Sequence, residues 1–163
     1  MAVNLSKLDK YVRQAIESGS ATAKHDTGFR VTDSTTGKHY RYVRLQGGVA
    51  GVANYPCGMS LASDDPNIVS CDESDIDCAA NVCGQMLGAI TDTYYCWIEE
   101  RDPGMPTDIK TGTAITAGEG LIWTADGYLT PQAFSGATTD DKYAVAIVLS
   151  TSSGLALTKI QWM

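Results

Sequence analysis

The sequence predicts a mainly β fold: a compact β-barrel or β-sandwich-like domain with an N-terminal helix or arm and a long cysteine-bearing loop. Several runs alternate apolar and polar residues with period two, as in 39–45, 94–99 and 155–162. Turn-forming clusters of Gly, Ser, Thr and Asp separate these runs. Helical spacing is confined to residues 1–18, where Leu5, Leu8, Val12 and Ile16 share a face. A chain of 163 residues suits one compact domain with a small appendage and can bury a core without staples. The organisation expected is therefore a helical arm over 1–27 and a β-rich domain over 28–163, with a loop insertion at about 54–83.

In the arm, Ser6 and Asp9 give a partial capping box and Gly19 a stop. Residues 28–45 read as a hairpin. Phe29 to Thr32 alternates, Asp33-Ser34-Thr35-Thr36-Gly37 turns the chain, and His39 to Leu45 alternates again. Arg30, Lys38, Arg41 and Arg44 gather on it, either as an anion-binding face or as a solvated sheet face. Residues 54–83 read as an acidic loop with Cys57, Cys71, Cys78 and Cys83. The run Asp72 to Asp77 lacks the sixth-position Gly and the distal Glu of a calcium loop. The cysteine spacing fits no zinc motif, so buried free thiols are expected.

Ile90 to Glu99 reads as a strand with an aromatic-rich face, ended by Arg101-Asp102-Pro103-Gly104. Gly112 to Pro131 is the clearest local unit. Gly118 and Gly120 supply a reversal, Leu121-Ile122-Trp123 is β-prone, and Asp126-Gly127 is a hairpin signal. Tyr143 to Ser150 reads as a buried strand, and Leu155 to Trp162 as an alternating one with Ile160 and Trp162 on one face.

A net charge of −7 argues against binding a phosphate backbone. No apolar run approaches the length of a membrane span, so neither nucleic acid nor membrane is an expected partner. Charges interrupt the N-terminus where a secretory leader needs an apolar core. The expectation is a chain made in a cytoplasm with reduced thiols, and an odd cysteine count agrees. His25 and His39 have no nucleophile or carboxylate pattern around them, and no nucleophile elbow, P-loop or metal-binding helix occurs. The expected protein is not an enzyme and has no catalytic residues, metal or cofactor.

Three segments, in order, are similar to capsid decoration (cement) proteins of tailed bacteriophages. They are Gly28-Phe29-Arg30-Val31-Thr32 with Thr36 to Arg44, then Thr93-Tyr94-Tyr95-Cys96-Trp97-Ile98, then Thr113 to Leu121 with Asp126-Gly127-Tyr128-Leu129-Thr130-Pro131 and Ala144 to Val148. Cys96 stands where that pattern usually has glycine. The resemblance implies a β-rich virion protein on the outer capsid surface, often a homotrimer, that clamps neighbouring major capsid protein subunits. In that setting Leu5, Leu8, Val12 and Ile16 are candidates for contact with the shell or a neighbour. The exposed remainder of Trp97, Trp123 and Trp162 would supply the trimer interface, their alternative being the chain's own core. Two rival expectations stand beside this one: a head-fibre or tail-associated glycan-binding virion protein, and a small thiol- or metal-dependent enzyme.

Overall fold

The computed structural model describes residues 18–72, 82–103, 107–111, 113–123, 129–131, 146–151 and 156–163. The described elements are all strands, so the mainly β expectation holds. They are β1 (Arg30–Thr32), β2 (His39–Leu45), β3 (Pro56–Met59), β4 (Ile68–Ser70), β5 (Val82–Met86), β6 (Tyr95–Glu100), β7 (Thr107–Thr111), β8 (Gly120–Trp123), β9 (Leu129–Pro131), β10 (Ala146–Val148) and β11 (Ala156–Trp162). The helical pattern of residues 1–17 lies outside the described residues.

The first six strands form one curled sheet in the order β1-β2-β4-β3-β5-β6, and β6 pairs back onto β2. β1 and β4 share one edge of β2 and β6 takes the other, so the pairings β2-β4-β3-β5-β6-β2 run in a circuit. Val43, Leu45, Cys57, Val69, Met86, Cys96 and Ile98 pack inside it. The last five strands close a barrel, β10-β11-β7-β9-β8, around Ile109, Leu121, Trp123, Leu129, Val148, Ile160 and Trp162. Closure matters physically because it leaves few unpaired strand edges exposed.

The second circuit reproduces the first strand for strand. In each, the first strand runs parallel to the third, β2 with β4 and β7 with β9. Every other pair in the two circuits is antiparallel, and the order is first, third, second, fourth, fifth, first. The turn into the second strand matches bond for bond. Asn54 N donates to Met86 O (2.8 Å), Met86 N to Tyr55 O (2.9 Å) and Tyr55 N to Val52 O (3.1 Å). In the barrel, Gly118 N donates to Val148 O (2.9 Å), Val148 N to Glu119 O (3.0 Å) and Glu119 N to Thr116 O (3.1 Å). Asn54 and Gly118 both hold positive φ, 64° and 92°, a conformation that Gly and Asn adopt most readily.

Register carries the equivalence through the cores. Cys57↔Gly84 answers to Leu121↔Ala146, Met59↔Val69 to Trp123↔Leu129, Met86↔Ile98 to Val148↔Ile160, and Val43↔Cys96 to Ile109↔Thr158. Of these core positions only Ile98 and Ile160 share an identity. What repeats is small or apolar character at a given register. Where the curled sheet has Leu45 and Cys96, the barrel has Thr111 and Thr158, buried with their hydroxyls hydrogen-bonded at 3.2 Å. The chain is one five-strand plan built twice.

Several expectations change. Residues 54–83 are not one long loop, since β3, β4 and the start of β5 lie in them. Pro56-Cys57-Gly58-Met59 lacks β-branched residues, and it is a strand because tertiary burial outweighs propensity. The aromatic strand starts at Tyr95 rather than Ile90. Ile90 makes an isolated bridge to Gly51, and the chain turns at Thr93 with φ of 64°. β7 was not expected between Pro106 and Gly112, which punctuate the sequence on either side. The hairpins β1–β2 and β8–β9 and the terminal strand β11 fall where the alternation put them.

At Gly84 a Cβ would run into the carbonyl oxygen of Glu99 on β6, whereas Ala146 fills the equivalent barrel position with its side chain buried. Gly84→Ala should therefore lose about 3 kcal/mol in urea denaturation. Ala146→Gly should lose only about 1 kcal/mol. Equal stability of Gly84→Ala and the parent chain would contradict the close approach of β5 and β6.

Candidate functional site

The outer face of the curled sheet carries the densest set of aromatic side chains. Alternation along β2 and β6 sends Val43, Leu45, Cys96 and Ile98 into the core and leaves Tyr42 and Trp97, which pair across the ladder, on the outside. The segment 18–29 covers them. Ser20 bridges to Tyr95, Gly28 N donates to Tyr42 O (2.7 Å), Tyr42 N to Phe29 O (2.8 Å) and Lys24 N to the Tyr42 hydroxyl (3.1 Å). His25 stacks on Phe29 with centroids 5.6 Å apart and meets Tyr42 edge-on at 5.1 Å and Trp97 at 5.4 Å. Tyr95 stacks on Tyr42 at 6.2 Å, and the Arg44 guanidinium lies 5.8 Å from the Tyr95 ring centre. The equivalent outer pair of the barrel is Asp108 opposite Lys159, both exposed. The covered aromatic face is thus particular to the first unit.

The cluster is closed. Tyr42 and Trp97 are 3% and 5% exposed, and Phe29 at 47% is its open edge. The hollow beside it is lined by Ala23, Lys24, His25, Asp26 and Phe29, all from one loop. An open stacking platform for a sugar is not what this packing forms.

Arg30, Lys38, His39 and Arg41 of the first hairpin face carboxylates from β6 and its exit. Arg30 Nε donates to both Glu100 carboxylate oxygens (3.1 and 3.0 Å), and Arg41 Nε lies 3.4 Å from the same group. Lys38 Nζ donates to Glu99 Oε2 at 2.8 Å, and His39 Nε2 is 3.6 Å from Asp102 Oδ2. Arg41 and Glu99 are nearly buried. Arg30, Lys38 and Arg41 are ion-paired within the chain and Arg44 Nε donates to the Thr93 carbonyl oxygen, so the hairpin is neither an anion site nor a simply solvated face.

Cys57, Cys71 and Cys96 are buried in the curled sheet and Cys83 packs against the same cluster. None of these four is bridged to another. Burial pushes Cys71 and Cys96 up to about 12. Cys57 is raised too, first by its hydrogen bond to Cys83 and then by burial. Cys83 is lowered by that same bond and by the nearby Arg41 guanidinium, against the desolvation that opposes it. In the barrel, Leu121, Pro131 and Thr158 stand at the positions of Cys57, Cys71 and Cys96. Three of the thiols therefore occupy packing positions. Among the described residues no group of three or more His, Cys, Asp or Glu side chains is placed to hold a metal ion.

Leu5, Leu8, Val12 and Ile16 lie outside the described residues. Trp97, Trp123 and Trp162 are 5%, 0% and 3% exposed. Trp123 and Trp162 fill the barrel core and Trp97 lies under the 18–29 segment, so little of any of them is left for a partner. The cover formed by His25 and Phe29 was not foreseen. The sequence signal nearest to it is the aromatic-rich face of the Ile90 to Glu99 run.

No protein-family model matches the chain, and no curated protein matches it. Among solved structures, the N base of head fiber gp8.5 in bacteriophage phi29 is similar. The TM-score is 0.55 at 11% identity, covering 76% of this chain and 92% of that one. The two chains share a fold.

If the aromatic cluster holds the 18–29 segment in place, Trp97→Ala should release it. Trypsin should then cut after Lys24 at least about tenfold faster than in the parent, because cleavage follows local opening. An unchanged cleavage rate would mean that the segment is held elsewhere.

Proposed function

We propose that the chain is a structural protein of a phage virion that sits on the outer face of the head and engages the major capsid protein. The fold likeness to a head fiber base, extending over nearly all of that base, carries this reading. The order of the three sequence segments similar to capsid decoration proteins supports it independently. So does the site chemistry. Three of the four described thiol positions, those of Cys57, Cys71 and Cys96, are filled by Leu, Pro and Thr in the twin unit, and the histidines are occupied by aromatic, Thr32 and Asp102 contacts. That is a scaffold's use of these residues rather than an enzyme's.

Two forms of the role are distinguishable. As a cement, the protein lies across joints between capsid subunits and favours the expanded shell by its differential affinity for it. A homotrimer would multiply weak contacts through effective concentration. As a fibre base, which the structural neighbour favours, it anchors to the shell without bracing it. The closed aromatic cluster gives no support to the glycan-binding alternative.

Purified protein mixed with empty expanded shells should co-sediment with them and run as a trimer in light scattering. A rise of several degrees in shell melting temperature identifies cement, and binding without that rise identifies a base. Failure to bind expanded shells sinks both. Removal of residues 1–18 should weaken binding, and undiminished binding would exclude the arm as a contact.

A further inference from the structure

Cys57 and Cys83 sit where the ladder between β3 and β5 slips. Register passes from Cys57↔Gly84 to Gly58↔Val82, which leaves Cys83 without a partner residue across the strands. Such a bulge re-aims a side chain that simple alternation would send to the other face. Cys83 accordingly packs against the inner cluster that holds Cys57, and its Sγ donates to the Cys57 carbonyl oxygen at 3.4 Å. Arg41, itself nearly buried, lies beside Cys83 while its Nε faces Glu100 at 3.4 Å. For Cys71 and Cys96 burial is the leading influence and pushes both thiols up, and a thiol that merely fills space needs no cation.

We propose that Cys57 and Cys83 form an oxidisable dithiol, which a hydroperoxide converts into a disulfide joining β3 to β5. Cys83 is the partly exposed member and the attacking one; Cys57 is fully buried and resolves. The Cys83 thiolate attacks one oxygen of hydrogen peroxide. An S–O bond forms, the O–O bond breaks, and the departing hydroxide takes up a proton as water. The Cys57 sulfur then attacks the sulfenic sulfur. The S–S bond forms, the S–O bond breaks, and the hydroxyl leaves as water with the Cys57 proton. Two electrons pass from the dithiol to the peroxide, which ends as two waters. The lowered Cys83 and raised Cys57 thiols fit these two roles.

The test uses the full chain treated with one equivalent of hydrogen peroxide, then alkylated and mapped without reduction. Two of the five thiols should disappear together, and the peptides containing Cys57 and Cys83 should be recovered joined. In Cys57→Ser, dimedone should trap a sulfenic acid at Cys83. In Cys83→Ser, Cys57 should remain alkylatable once the chain is unfolded. Survival of both thiols overturns the proposal, as does a bridge to Cys71 or Cys78, or a sulfenic acid on Cys57. The map of the unsubstituted chain decides by itself if a serine variant fails to fold. The outcome does not depend on whether the protein binds shells.

Discussion

The antiparallel pairing of β2 with β6 is the contact on which the rest of the structure depends. It runs from Tyr40↔Glu99 to Arg44↔Tyr95 and closes the circuit of the curled sheet. Its inward residues, Val43, Cys96 and Ile98, are central to the first core. Its outward residues, Tyr42, Trp97 and Tyr95, are the floor on which the 18–29 segment lies. The same register sets the acids at the end of β6 beside the bases of β1, of β2 and of the turn between them. One ladder thus fixes a core, a covered face and an ion-pair row at once. A side chain changed on either strand acts on two of these together, so its effects should not add independently with those of its neighbours.

What could be read in the sequence was what alternates. His39–Leu45 and Ala156–Trp162 show period two and were placed correctly. β3 and β7 were hidden for a common reason. Each is short, and each is hemmed in or interrupted by Pro and Gly, residues that normally end strands. The duplication was hidden for another reason. Residues at equivalent core positions share only volume and polarity, as with Val69 and Leu129 or Cys57 and Leu121, and the connecting segments differ in length. Backbone register preserves such a relation when side chains do not. The site was legible as an aromatic strand face, but its cover comes from a segment with no periodic signal of its own.

The second unit is also a control for the first. Where the barrel has aliphatic or hydroxyl side chains at positions of Cys57, Cys71 and Cys96, the fold does not require sulfur there. Where Asp108 and Lys159 stand exposed in place of Tyr42 and Trp97, the fold does not require an aromatic face. The features particular to the first unit are therefore additions to the plan, and function is to be sought among them.

Two copies of one topology in a single chain carry a hazard during folding. A strand of the second unit can be offered to the first circuit in the same direction and register as the proper one, and exchange of like elements is a characteristic failure of tandem repeats. The dissimilar cores act as a lock against it. Were β7 to enter in place of β2, Thr111 would bring its hydroxyl into the site of Leu45 and leave its hydrogen bond to Thr158 behind. A buried hydroxyl deprived of a partner is unfavourable by about 1–3 kcal/mol, and the aromatic cover would find Asp108 where Tyr42 belongs. Divergence between the repeats is in this sense part of what makes the chain fold one way.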